Sequence, residues 1–264
     1  MATTNLKAFP YSEDITCPEC RNQITLYDPE GSEYCACAKC HSFLQFTEKN
    51  GTIIQKQAPA VKAAPVIKLG STGILKDIQF KVIGYIEKKE QASKYAWREY
   101  ILYNYEKGYA NLSEFDGHWN FVAGKEFYPE LEKLTDRSWT FVDYQDNEYN
   151  LFNKYTAVTT SLIGEFDWDI LAEKAKTSEF VAPPNIIIKE HDKGTSIADF
   201  YLGNYIEAKE IAEAFKTDIK LFPEKIGIGA NQPSVHAKRW FSVYKLTPLL
   251  VVLVAIIGFI SLYI

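Results

Sequence analysis

The sequence contains few of the residues and motifs on which catalysis most often depends. Only four histidines occur among 264 residues, and no H-E-x-x-H, G-x-S-x-G, G-x-x-x-x-G-K-[ST] or G-x-G-x-x-G motif is present. These absences argue against zinc-peptidase, serine-hydrolase, P-loop and dinucleotide-binding sites of the kinds that such motifs identify. We therefore predict that the chain is not an enzyme.

Acidic residues are also absent, but only from one end of the chain. The region from Lys225 to Ile264 holds no Asp or Glu, whereas the whole sequence has 34 acidic against 29 basic residues and a net charge of -5. The region before Lys225 is therefore strongly acidic, and phosphate backbones repel an acidic surface. We expect no nucleic-acid partner. The first residues lack the apolar core of a signal peptide, so we predict no cleaved signal.

The longest apolar run lies in this acid-free region. Nineteen residues, 246–264, carry no charge, and a helix of that length would extend roughly 28 Å, close to the hydrocarbon thickness of a bilayer. We predict a single transmembrane helix there, preceded by a basic juxtamembrane segment over 225–245. The alternative is a buried core helix. The chain is expected either to be tail-anchored or to be the first part of a longer protein.

Basic residues flank only one side of this predicted helix. Lys238, Arg239 and Lys245 precede it, and no charge follows it. Since basic residues concentrate on the cytoplasmic side of a membrane, the N-terminal body is predicted to be cytoplasmic, with the bilayer as a partner. The inner membrane of a bacterium is the predicted location.

Four of the five cysteines form two C-x-x-C pairs separated by sixteen residues. These four are Cys17, Cys20, Cys37 and Cys40. The spacing is typical of a zinc ribbon, in which two turns each present two thiolates to one tetrahedral ion. We predict such a ribbon over 1–50, with a closed, structural zinc site. Disulfides, redox chemistry and an iron site are the alternatives. Cys35 is predicted to be a strand residue.

The remainder of the body is predicted to be mainly β. Aromatic residues make up 14% of the sequence, and they pack well on pleated sheets. The segments Glu106–Gly108 and Asp116–Gly117 are hairpin signals. We predict a linker over 51–67 and an antiparallel β barrel or sandwich over 68–224.

Two elements of this domain have a clear residue pattern. The first strand is predicted to place alternate side chains on one face. Those residues are Ile78, Phe80, Val82, Gly84 and Ile86. The clearest helix is predicted over Glu207–Phe215, with Ile211 and Phe215 on its apolar face.

Several short motifs resemble one known family. These are the strand Phe80–Ile86, then Trp97–Leu102, Gly117–Trp119, Gly164–Trp168, Ala182–Pro184 and Tyr201–Ile206. Their order and spacing resemble the bacterial domain-of-unknown-function family 4178 over roughly residues 68–216. Asp167 departs from the family, which often has proline there. The resemblance implies a β-rich domain of unknown activity, often found beside membrane helices and zinc ribbons, and it carries over no catalytic residue.

Three carboxylates form the first candidate binding site. Glu165, Asp167 and Asp169 alternate along a predicted strand and would share one face, where they would hold a hard cation or a polyamine. The alternative is a solvated outer face, with Phe166 and Trp168 directed into the core.

The second candidate site combines a carboxylate with aromatic rings. Trp97, Glu99 and Tyr100 would bind a cationic ligand, because ring faces attract positive charge. In the alternative arrangement the two rings pack on opposite faces and Glu99 pairs with a neighbouring basic residue.

These features predict a membrane-anchored, non-enzymatic interaction or regulatory module. It would display the zinc ribbon and the β-rich domain at the cytoplasmic face and bind a protein partner at the membrane. The alternative function is a ligand-sensing domain that binds a small cation such as a polyamine.

Overall fold

The computed structural model describes most of the chain before residue 235. The described residues are 9, 11–46, 52–62, 64–123, 131, 140–172, 174–191 and 198–234, without the side chains of 52–56. The described residues up to Asn231 form one compact unit. No helix within these ranges is long and apolar enough to cross a bilayer. The predicted span 246–264 lies outside them, as do Lys238, Arg239 and Lys245.

The described part is mainly β, as predicted. The first strands are β1 (Glu13–Thr16), β2 (Gln23–Leu26), β3 (Tyr34–Ala36), β4 (Ser42–Phe46) and β5 (Thr52–Gln57). The following strands are β6 (Thr72–Leu75), β7 (Ile78–Glu90), β8 (Ala96–Asn104), β9 (Gly108–Phe115), β10 (His118–Ala123), β11 (Phe141–Tyr144), β12 (Asn147–Phe166), β13 (Lys176–Ala182), β14 (Asn185–His191) and β15 (Asp199–Ile206). One helix, α1 (Ala208–Phe215), and a short 3-10 turn (Ile219–Leu221) follow.

Eight of these strands pair in a closed circuit, which we call the eight-stranded ring. Its order is β7-β8-β9-β10-β15-β14-β13-β12, and β12 pairs again with β7. Every pairing in it is antiparallel. The predicted hairpins at Glu106–Gly108 and Asp116–Gly117 connect β8 to β9 and β9 to β10, which confirms both.

The twenty-residue strand β12 connects the ring to the N-terminal strands. Its first part pairs with β11 and β13, and its last part pairs with β7 and β3. The segment 51–67, predicted as a linker, contributes β5, which pairs with β4. Ile67 at its end is fully buried. This segment is therefore partly built into the sheet.

A β-bulge in β7 changes which side chains share a face. The register shifts between Val82 and Gly84, so Ile83 is the extra residue. Phe80 and Val82 pack in the core beneath α1, whereas Ile83 and Ile86 pack in a second core. The predicted strand is confirmed, but its single apolar face is wrong because one extra residue reverses the alternation.

Helix α1 covers the outer face of the ring. Its buried residues include Ile211 and Phe215, as the sequence pattern predicted. The ring of Phe215 lies against Gly73 in β6. Nearby, the Trp119 ring packs 5.4 Å from the ring of Phe222. The helix thus completes the core on the outer face of the ring, and other residues line the inner face.

Replacing Gly164 by alanine is expected to lower the free energy of unfolding by about 3 kcal/mol. Gly164 has a φ of +98° in β12, and an added Cβ would lie 2.2 Å from the carbonyl oxygen of Ile83. Gly108 is the matched control, since its φ is +73° but nothing lies within 4 Å of an added Cβ. Gly108→Ala is expected to cost only about 1 kcal/mol. Equal losses in urea unfolding would contradict this account of Gly164.

Candidate functional site

The four predicted cysteines come together in one cluster. Their sulfur atoms all lie within 4.8 Å of one another. Cys17 Sγ is 3.6 Å from Cys40 Sγ, and Cys20 Sγ is 3.8 Å from Cys37 Sγ. A tetrahedral ion with metal–sulfur bonds of about 2.3 Å places its ligands roughly 3.8 Å apart. The cluster therefore has the geometry to hold one tetrahedral metal ion.

The two C-x-x-C turns have the same backbone design. The residue after each pair, Arg21 or His41, is left-handed, with φ of 61° and 59°. The N–H of Arg21 donates to the carbonyl of Cys17 over 3.0 Å, and that of His41 donates to Cys37 over 2.9 Å. Each turn is thus closed behind its two thiols, which leaves both sulfur atoms directed at the other pair.

The thiols need a positive counter-charge. Burial raises the pKa of Cys17, and burial raises that of Cys37 to about 12. Burial also opposes ionisation of Cys40, but hydrogen bonds with Ser42 and with its cysteine neighbours lower its pKa to about 6. Because metal ligation requires thiolates, a bound cation would supply the charge that ionises the remaining thiols.

The fifth cysteine is separate from this cluster. Cys35 lies in β3 and is fully buried, which confirms its prediction as a strand residue. Burial raises the pKa of its thiol, and the charge of Glu165 raises it further. Cys35 is therefore a packing residue of the ribbon core.

A large cavity lies along the inner face of the eight-stranded ring. Its volume is about 1510 Å³, above the range of roughly 300–1,000 Å³ that is usual for ligand pockets. Its charged lining consists of Glu90, Glu99, Asp167, Asp169, Glu179, Glu190 and Asp199, with Lys88, Lys107 and Lys174. Its aromatic lining includes Tyr95, Trp97, Tyr109, Phe115, Phe152, Tyr155, Trp168 and Tyr201. Among the residues that the structure describes, seven carboxylates against three lysines make this lining acidic.

Trp97 and Glu99 lie together in this cavity. The indole Nε1 of Trp97 donates to Glu99 Oε1 over 2.6 Å, and Lys88 Nζ lies 3.2 Å from Glu99 Oε2. Tyr100 points away from them into the outer core, where its hydroxyl accepts from the N–H of Val66. The structure thus brings two of the three predicted residues together, and Glu99 pairs with a lysine as in the alternative arrangement.

A second carboxylate contributes to the same wall. The Tyr155 hydroxyl donates to Glu179 Oε1 over 2.8 Å, and the Tyr155 ring packs edge-on against Trp97 at 5.3 Å. Burial raises the pKa of Glu179, and the charges of Glu90 and Glu99 raise it further. These carboxylates therefore share one negative field. Glu90 and Glu179 were not predicted as site residues, because only the strand register shows which face they occupy.

The three carboxylates of the other predicted site do not share a strand face. Strand β12 ends at Phe166, so Asp167 and Asp169 follow it. Both line the cavity, and Asp169 Oδ1 accepts from the N–H groups of Leu171 and Ala172. Glu165 is not among the residues that line the cavity and is 1% exposed. The predicted common face is wrong because the strand ends too early, and a solvated position is wrong for Glu165.

Glu165 instead joins the ribbon to β12. Its carboxylate accepts from the N–H groups of Tyr27 and Asp28, over 2.7 and 3.0 Å, and from the Ser32 hydroxyl over 3.1 Å. Burial raises its pKa to about 7 against these three hydrogen bonds, and the charge of Asp28 adds to the rise. Asp28 also accepts a hydrogen bond from the Tyr109 hydroxyl. The ribbon turn is thus held from two strands of the ring.

Comparison with known families gives one result. The family model DUF4178, a domain of unknown function, matches residues 68–208. The chain belongs to the DUF4178 family. This confirms the resemblance that the sequence motifs indicated. The DUF4178 domain contains every strand of the eight-stranded ring, from β7 to β15, together with the cavity residues that these strands carry. Searches of curated proteins and of solved structures gave no match.

Proposed function

We propose that this chain is a non-enzymatic regulatory module whose DUF4178 domain binds a small organic cation in the cavity. The observation that carries the proposal is the excess of carboxylates over lysines in a wall that also contains aromatic rings. A concave acidic surface concentrates cations. Aromatic faces attract them further. Both effects favour the same class of ligand.

Two carboxylates of the wall already contact other side chains, and this favours an organic cation over a hard metal ion as the ligand. Both oxygens of Glu99 already contact Trp97 and Lys88, and Glu179 accepts from Tyr155. A calcium ion requires six to eight oxygen ligands directed at one point. An organic cation, whose charge is spread over several atoms, needs only the negative field of the surrounding carboxylates. A polyamine is one member of this class, and the cavity volume accommodates such a ligand.

We propose zinc as the ion of the four-cysteine cluster. Four thiolates in a tetrahedron are typical of structural zinc sites, which leave no coordination position open for a substrate. The separations between the sulfur atoms support this choice. The ion would stabilise the ribbon, and through Glu165 it would stabilise the end of β12. Its proposed role is structural.

The proposed location rests on the sequence. The uncharged segment 246–264 would anchor the chain in a bilayer, and Lys238, Arg239 and Lys245 would hold the body on the cytoplasmic side. The ring is proposed to be a closed barrel that reports its occupancy to a protein partner at the membrane.

Calorimetric titration of the full-length chain in mild detergent tests the ligand class. The two titrants are tetramethylammonium and spermidine. We expect saturable binding and, in Glu90→Gln, an affinity lower by about tenfold, because one carboxylate of the wall is removed. Glu148→Gln is the matched control, since Glu148 is exposed on β12 outside the cavity. Absence of heat at millimolar concentrations of both cations, or equal affinities in wild type and Glu90→Gln, would refute the proposal.

A further inference from the structure

We infer that the cation bound in the cavity carries an apolar group of aromatic size, which packs on an aromatic rim of three residues. The rim consists of Tyr95, Phe115 and Phe152. This inference rests on the proposed function and adds to it the chemical class of the ligand: an amphiphilic organic cation, and not a bare amine.

The three rim residues expose apolar surface in one place. Tyr95 is 50% exposed, Phe115 38% and Phe152 59%, and all three line the cavity. The rings of Tyr95 and Phe115 pack edge-to-face at 6.0 Å. Clustered apolar side chains that remain exposed are typical of binding sites. They provide a surface that an apolar group would cover.

A β-bulge directs Phe152 towards the cavity. The pairing of β12 with β13 shifts between Leu151 and Asn153, so Phe152 is the extra residue. Leu151 packs in an outer core, whereas Phe152 and the next residue, Asn153, both line the cavity. Regular alternation would place neighbouring side chains on opposite faces. The bulge therefore adds the aromatic side chain of Phe152 to the cavity wall. Bulges often redirect side chains in this way near binding sites.

The aromatic rim is continuous with the carboxylates. The backbone N–H of Glu90 donates to the carbonyl of Tyr95 over 3.0 Å. Asn153 Nδ2 donates to Glu90 Oε1 over 2.7 Å, so Glu90 also lies beside Phe152 along the wall. One ligand can therefore place its charge near the carboxylates and its apolar part on the rim.

The strand register places the rim residue Phe115 beside the second predicted site. Arg98 pairs with Glu114, which sets Phe115 across from Trp97 on the neighbouring strand. Tyr95, Trp97 and Glu99 line the same cavity at alternate positions of one segment. The rim and the acidic wall therefore form a single surface in a cavity of about 1510 Å³.

A matched pair of ligands tests this inference. Tetramethylammonium and benzyltrimethylammonium have the same quaternary charge, and only the second carries an aromatic ring. We expect calorimetry on the full-length chain in mild detergent to show at least about tenfold tighter binding of the benzyl compound, since covering a ring removes apolar surface from water. Titration into detergent alone corrects for partition of the ligand into micelles.

Variants locate the site of the extra affinity. Phe115→Ala and Phe152→Ala are expected to lower the ratio of the two affinities from about tenfold towards one. Phe141→Ala is the control, because Phe141 is 41% exposed on β11 and does not line the cavity. That variant is expected to keep the wild-type ratio. Circular dichroism of each variant shows whether the fold is retained.

The outcomes separate this inference from the proposed function. If tetramethylammonium binds and the benzyl compound binds no more tightly, the aromatic rim does not take part, and only the amphiphilic class is overturned. If the benzyl compound is favoured equally in wild type, Phe115→Ala and Phe152→Ala, the inference also fails, because the ring binds elsewhere. If neither cation binds, the proposed function itself fails.

Discussion

Cys37→Ser is expected to abolish metal binding and to unfold the ribbon. The ribbon core consists of a few side chains around the cysteines, and structural zinc contributes on the order of 10 kcal/mol in small zinc-binding peptides. A buried hydroxyl at this position cannot replace the fourth thiolate. Mass spectrometry of the native protein is expected to show one zinc ion in the wild type and none in Cys37→Ser.

Cys35→Ser is the matched control for this prediction. Cys35 is as buried as Cys37 but lies outside the cluster. We expect this variant to keep one zinc ion and to lose only about 1–2 kcal/mol of stability, because a buried thiol is replaced by a hydroxyl. A full equivalent of zinc in Cys37→Ser, or its loss in Cys35→Ser, would show that the ligand set is wrong.

The stability of the wild type is expected to fall as the pH rises from about 4.5 to about 7, because of Glu165. Burial raises the pKa of this carboxyl from 4.5 to about 7, so the folded chain binds its proton more tightly than the unfolded chain does. The stabilisation is complete below pH 4.5 and is lost as the pH rises through 7. A shift of this size corresponds to about 3 kcal/mol.

Glu165→Gln is expected to remove this contribution to the pH dependence. The side chain keeps its size and one carbonyl acceptor but no longer titrates. Urea unfolding of the zinc-saturated proteins at pH 5.0 and 7.5 measures the slope of the unfolding free energy against pH. The contribution of the metal to this slope is common to the wild type and Glu165→Gln. Glu148→Gln, at an exposed position, is expected to keep the wild-type slope. The same slope in Glu165→Gln as in the wild type would contradict the assignment.

Local signals predicted the parts of the fold that depend on neighbouring residues. The C-x-x-C spacing, the Asp116–Gly117 turn and the helix at Glu207–Phe215 each depend on a few consecutive residues, and the structure shows the cluster, the hairpin and the helix. Turn chemistry and metal ligation act over short distances along the chain. For that reason, sequence patterns predict them well.

The remaining features depend on contacts between distant residues. Glu165 accepts from residues more than 130 positions earlier, and no sequence period predicts that contact. The bulges at Ile83 and Phe152 reverse the alternation on which strand faces are predicted. Glu179 and Tyr155 are ordinary strand residues until the register places them beside Trp97. The candidate site was therefore predicted only in part.

The length of β12 makes one strand a shared support for the two proposed binding sites. Tyr155 lines the cavity and Glu165 holds the ribbon turn, ten residues further along, or roughly 33 Å of extended chain. If the proposed metal and the proposed cation favour the same arrangement of this strand, each would strengthen the binding of the other by the same factor, because thermodynamic linkage is reciprocal. Removal of the metal would then also weaken binding of the cation.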